Sequence, residues 1–191
     1  MKKGYLYTLI FMAVVSIVFT GLLAGVNAAY KKKISENQQT AVRASILYSV
    51  GIIAGDDAND IFDDKAIEKN LNGMTYYSID TSGEKAYAIP FEGPGLWGTI
   101  RGYIGVSSDM SSILGLAFTE QNETPGLGGR IDEEWYKAQF KDTKLTGVLE
   151  YGSESGIDAI TGATSTSNAV LKILNDFIET TLKELEEADE K

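Results

Sequence analysis

The sequence predicts an α+β fold: one domain built on an antiparallel sheet, with a transmembrane helix before it and a helix closing its C-terminal end. Three observations predict this. The run from Gly4 to Tyr30 is apolar and carries no charged residue. Between Thr75 and Tyr151, short runs rich in Tyr, Ile, Val and Phe alternate with glycine- and serine-bearing turns, which is the texture of strands. From Ser165 to Glu187, the apolar residues Val170, Leu174, Phe177, Ile178, Leu182 and Leu185 fall on one helical stripe. Strands grouped between helices indicate an α+β arrangement rather than alternating βαβ units.

The N-terminal run is long enough to cross a bilayer, which takes about 20 apolar residues. Val26-Asn27-Ala28 resembles a signal-peptide cleavage site, but the apolar core of a signal peptide is shorter, about 7–15 residues. An uncleaved anchor is therefore expected. Lysines flank both ends, at Lys2, Lys3 and Lys31 to Lys33. A lysine count alone weakly favours a cytoplasmic domain, although long domains cross largely regardless of charge.

After the anchor, Val42, Ile46, Leu47 and Val50 give helical spacing over Asn37 to Val50. The acidic stretch from Asp56 to Glu68 reads as a loop and short helix. It is not a calcium loop, because Ile61 stands where a ligand is needed and the turn glycine is missing. Strands are expected at Tyr76 to Ile79 and Ala86 to Ile89, with Ser82-Gly83 between them, then at Leu96 to Val106, Ile113 to Phe118 and Lys144 to Tyr151. A short helix is expected over Asp132 to Phe140.

Composition narrows the chemistry. The chain has 191 residues, 43% of them hydrophobic, and a net charge of −10, which argues against a nucleic-acid partner. It has no Cys and no His. Iron–sulfur clusters, disulfides, cysteine zinc sites, histidine-ligated haem and His-activated nucleophiles are excluded. A redox role must use an organic cofactor, a metal role would need an all-oxygen site for a hard cation, and no metal ligands are assigned.

Gly93-Pro94-Gly95-Leu96-Trp97-Gly98 matches GxGxxG formally. A dinucleotide fingerprint needs a helix after it. Here Thr99 to Val106 reads as strand, and Pro94 removes a backbone donor. A tight turn is the better account.

The segment from Asp158 to Ser167 precedes the C-terminal helix and crowds hydroxyls at Thr161, Thr164, Ser165, Thr166 and Ser167 around Gly162. One hydroxyl suffices for an N-cap. Helix starts also bind phosphate through free N–H groups and the helix dipole. On these residues alone, cap and phosphate-binding turn remain equally open.

Asp158-x-x-Thr161-Gly162-Ala163-Thr164 resembles the flavinylation motif of the FMN-binding domain family. Glu123-Thr124-Pro125-Gly126-Leu127-Gly128-Gly129 is similar to the ETPGLG segment of the same family, and Gly95-Leu96-Trp97 to a third, weaker element. Gln121 stands where that family often carries His. The resemblance runs over nearly the whole chain. It is strongest to the small flavoprotein subunits of Rnf ferredoxin:NAD oxidoreductase and sodium-translocating NADH:quinone oxidoreductase complexes.

The resemblance implies FMN joined through its phosphate to Thr164 by a separate flavin transferase. Asp158 would assist that enzyme, Thr161, Gly162 and Ala163 would shape the turn, and Thr166 and Ser167 would bond phosphate or begin the helix. Glu123, Thr124, Leu127 and Gly128 would lie against the flavin ring, with Trp97 either on the ring or in the core. It implies an electron-relaying subunit with membrane partners, its domain outside the cytoplasmic membrane. The alternatives are a standalone carrier and a structural subunit with an unused site. The expected division is 1–33 for cytoplasmic tip and anchor, 34–73 for a helical connector, and 74–191 for the FMN-binding domain.

Overall fold

The structure, a computed structural model, describes residues 2–189 except 82, 146 and 153–155. Its compact units are 1–39 and 40–191. Helix α1 runs Lys2–Ser49. Within the first unit its apolar side chains, among them Leu9, Phe11, Ile17 and Leu23, are exposed on every face. A helix apolar all round needs an apolar surrounding, and this one is long and apolar enough to cross a membrane.

The second unit is a five-stranded antiparallel meander, order β1-β2-β3-β4-β5. Its strands are β1 (Ala66–Leu71), β2 (Met74–Thr81), β3 (Glu84–Pro94), β4 (Thr99–Val106) and β5 (Ile113–Glu120). Helix α2 (Ala58–Lys65) precedes the sheet; α3 (Glu134–Ala138), α4 (Thr164–Phe177) and α5 (Lys183–Asp189) follow it. Ala86, Tyr87, Ala88 and Ile89 of β3 are all buried, because both faces of the sheet are covered. Ala86 and Ala88 join Ile79 in a core with Ile46, Leu47 and Val50 from the end of α1. Tyr87, Ile89 and Phe91 point the other way, as strand alternation requires. They join Ile104, Leu116, Tyr136 and the α4 residues Val170, Leu174 and Phe177. Gly105 and Gly115 face each other across β4 and β5. A Cβ on either would collide with the Ser49 carbonyl oxygen, so the pair forms the seat for the end of α1.

Several expectations need correction. Strand β1 lies inside the stretch expected as a helical connector. It is an edge strand carrying Glu68 and Lys69, so its pattern is polar. The strand expected from Leu96 begins at Thr99, because residues 95–98 form the β3–β4 turn, closed by Gly95 N–H to Gly98 carbonyl at 2.7 Å. That turn into a strand rules out the dinucleotide-type site. No strand forms at Lys144 to Tyr151 among the described residues; Thr146 lies outside them, as does Ser82 of the expected β2–β3 turn. Instead, the Asn175 side chain accepts from Leu149 N–H at 2.7 Å and donates to its carbonyl at 3.0 Å. The expected short helix resolves into a 3₁₀ turn, Gly128–Asp132, followed by α3. The C-terminal helix widens into a π turn at Ile178–Leu182 before α5, keeping Leu182 and Leu185 buried.

Candidate functional site

Three segments distant in sequence meet around one carboxylate. Glu123 follows β5 and is only 4% exposed. Its Oε1 accepts from the backbone N–H of Leu96 at 2.8 Å and of Trp97 at 3.0 Å, both in the β3–β4 turn. Its Oε2 accepts from the Thr166 hydroxyl at 2.6 Å, in the first turn of α4. Buried carboxylates need such donors to offset lost hydration. Two glycines make room for it. A Cβ on Gly95 would lie 2.5 Å from Oε1, and one on Gly128 would lie 2.9 Å from Oε2 and 2.5 Å from Thr166 Oγ1.

The two motif loops use the same turn. Leu127 N–H bonds the Thr124 carbonyl at 3.1 Å, with Gly126 at φ +73°. Ala163 N–H bonds the Ile160 carbonyl at 2.9 Å, with Gly162 at φ +82°. Both have the type II pattern, which requires positive φ at its third position. The turns touch: Leu127 Cδ2 lies 3.5 Å from where a Gly162 Cβ would stand.

Thr164 is the first residue of α4, and it is exposed. The N-cap is Ala163, and no side-chain hydrogen bond caps the helix. The first N–H groups of a helix have no intrahelical partner, so this 14-residue helix presents them without the hydroxyl cap that the sequence left open. Thr161, Gly162 and Ser165 are also exposed, while Ala163 is buried. Leu96, Trp97 and Leu127 are exposed at 56%, 69% and 46%, so Trp97 is not a core residue. A hollow of about 260 Å³ beside the Pro125-Gly126 turn is lined by Gln121, Gly129, Arg130 and Glu133. The larger hollow, about 430 Å³, lies between β3–β4 and the end of α4 and involves none of the expected site residues.

Other expected residues have different partners. Glu123 has three protein partners, two backbone N–H groups on Oε1 and the Thr166 hydroxyl on Oε2. Ser167 is fully buried; its hydroxyl accepts from Ile160 N–H at 3.0 Å and donates to the Ala163 carbonyl at 3.1 Å. Thr166 and Ser167 therefore lock the turn, as spacing at the helix start allowed. Asp158 has an exposed side chain, and its main chain is clamped by Gln139: its N–H donates to Oε1 at 2.7 Å, and its carbonyl accepts from Nε2 at 3.4 Å. Thr124 is exposed, and its carbonyl holds both Leu127 and Gly129.

Sequence reading missed a relay behind the turn. Tyr151 donates to the Ser167 carbonyl at 2.7 Å, and Tyr136 lies 2.7 Å from Tyr151. Since the single Tyr151 proton goes to Ser167, Tyr136 is the donor of that pair. Burial, and for Tyr136 also the neighbouring Tyr151, pushes both phenols above their ordinary range. They stay protonated donors.

Residues 95–179 match the model of the FMN-binding domain. The chain is 32% identical over 120 residues to the NqrC component of the Na(+)-translocating NADH-quinone reductase of Vibrio vulnificus, covering 56% of this chain and 47% of that protein. It is 35% identical over 114 residues to a component of the proton-translocating ferredoxin:NAD(+) oxidoreductase complex of Clostridium ljungdahlii, covering 57% and 61%. It thus spans about half the length of the curated relatives it matches first. The crystal structure of the corresponding quinone-reductase component of Parabacteroides distasonis superposes with a TM-score of 0.69 at 23% identity, over 81% of this chain and 96% of that one. That likeness shows the same fold. Every segment that meets at Glu123 lies within residues 95–179, the stretch that matches the FMN-binding domain.

Proposed function

We propose that the chain is a membrane-anchored flavoprotein subunit that carries FMN as a phosphoester on Thr164 and relays electrons within an Rnf- or Nqr-type ion-translocating complex. The observation that carries this reading is the exposed Thr164 hydroxyl at the start of a helix without a side-chain cap. The hydroxyl is the attachment point, and the N–H groups of the first turn suit the phosphate. Leu96, Trp97 and Leu127 offer apolar surface for a flat ring. When bound, FMN supplies the electron exchange; the protein supplies position and surroundings. Attachment follows from balanced chemistry with a flavin dinucleotide as donor. Thr164 Oγ forms a P–O bond to the FMN phosphorus, the pyrophosphate bond breaks, a nucleoside monophosphate leaves and the hydroxyl proton passes to solvent. A separate transferase catalyses the step, with Asp158 exposed two residues before Ile160 for that enzyme to engage. Attachment through the phosphate leaves the ring conjugation intact and retains the cofactor on an open surface.

The names of the relatives support the assignment to an electron-transferring complex and to membrane subunits as partners. The anchor is the apolar first part of α1, and the domain, residues 40–191 with β1 in its sheet, stands on the outer side of the cytoplasmic membrane. The full chain co-expressed with a flavin transferase is expected to fluoresce on a denaturing gel. Thr164→Ala is expected to abolish that band and Thr164→Ser to keep it. A fluorescent Thr164→Ala band would overturn the attachment site, and a dark wild-type band the cofactor assignment.

A further inference from the structure

The first turn of α4 carries consecutive hydroxyls with different fates. Thr164 and Ser165 face solvent, whereas Thr166 and Ser167 are 1% and 0% exposed. Glu123 holds the first of the buried pair, Thr166. We infer that Glu123 is a positioning residue. By taking the Thr166 hydroxyl proton in a hydrogen bond it turns α4 so that Thr164 faces outward, and by accepting from Leu96 and Trp97 it binds the turn carrying the exposed apolar side chains to the same helix start. The inference rests on the proposed attachment at Thr164.

The geometry commits Glu123 to this task. Three donors converge on it, at 2.8 and 3.0 Å on Oε1 and 2.6 Å on Oε2. The carboxylate carries a negative charge to the start of a helix, where the dipole favours it. Hydrogen bonds to a charged acceptor are stronger than neutral ones. Gly95 and Gly128 are spaced for the carboxylate itself, since a Cβ on either would collide with it. A side chain bonded at both oxygens and almost fully buried holds the wall of the site. Without it, Thr166 loses its acceptor and the β3–β4 turn loses two anchors, and the start of α4 is held only by Ser167 and Tyr151.

The test uses the full chain in detergent, prepared once without the transferase and once with it. In the flavin-free protein, Glu123→Gln is expected to speed amide exchange at Leu96 and Trp97 by about tenfold, the scale of losing one charge-assisted bond. Exchange at Ile173 to Phe177 should stay unchanged. In the modified protein, peptide mass mapping should find several-fold less FMN on Thr164, part of it moved to a neighbouring hydroxyl. Thr166→Val leaves Glu123 in place and covers the case in which Glu123→Gln does not fold. It should give the same loss, and Thr166→Ser, which keeps the donor, should restore wild-type behaviour. Wild-type exchange and wild-type occupancy in both Glu123→Gln and Thr166→Val would overturn the inference, as would Thr166→Ser failing like Thr166→Val. Thr164→Ala separates this from the attachment claim. It should remove FMN without altering exchange at Leu96 and Trp97; if it retains FMN, the attachment site falls, while the flavin-free comparison still decides the role of Glu123.

Discussion

Gly128 and Trp97 sit a few bonds from the same carboxylate and make opposite predictions. Gly128 has no space for a side chain: a Cβ would stand 2.5 Å from Thr166 Oγ1. Gly128→Ala is expected to cost about 1–3 kcal/mol, the usual penalty of overpacking, read as a lower midpoint in denaturant. Trp97 is largely solvent-exposed although its backbone N–H is tied to Glu123. Trp97→Ala should leave stability within about 0.5 kcal/mol while changing the absorption spectrum of the flavin-loaded protein. A large loss of stability in flavin-free Trp97→Ala would show that the side chain packs inward. The hydroxyls at 161–167 stood out because an N-cap needs only one of them, and the turn glycines because positive φ favours glycine. The role of Glu123 was not legible. A carboxylate in a glycine loop reads as a ligand contact, and only three-dimensional placement reveals its two backbone amide partners and its hydroxyl partner.

At the scale of elements, the start of α4 is held from behind as well as from the side. Tyr151 donates to the Ser167 carbonyl, one turn into the helix. Tyr151→Phe removes that donor and leaves both the carbonyl and the Tyr136 hydroxyl short of a partner. The expected cost is about 1–3 kcal/mol, measured by thermal unfolding, together with faster amide exchange in the first turn of α4. The strands β2 to β5 were legible from alternation and turn residues. Strand β1 was not, although Asn72-Gly73, at φ +52° and +90°, supplied the hairpin turn that joins it to β2. Its polar edge hid the pairing. The reverse error came at Lys144 to Tyr151, where a half-apolar run suggested a strand. The side chain of Asn175 satisfies Leu149 there, so no ladder is needed.

For the whole molecule, the division at Gln39 has a practical consequence. Among the described residues, the buried cores use Ile46, Leu47 and Val50 from the end of α1 but nothing from residues 1–39. A chain starting at Thr40 is therefore expected to fold without detergent, with a melting temperature within a few degrees of the full chain, as circular dichroism would measure. Starting instead at Gly51 should fail, because it strips one face of the sheet of its apolar cover. The anchor and the α+β class were legible from composition and periodicity alone. The meeting of 95–97, 123–129 and 158–167 was not, since closure between distant segments leaves no periodic trace.

The meander also sets an order of events. Each strand pairs with its neighbour in sequence, so the sheet grows from local contacts, which form early and fast. The helix that begins at Thr164 follows all five strands in sequence, and the Thr164 hydroxyl proposed as acceptor is presented only once that helix docks on Glu123. On the proposed attachment, a transferase that needs this docked turn would read it as proof of a folded domain, so that flavin would be attached only to chains whose sheet and helix have already met.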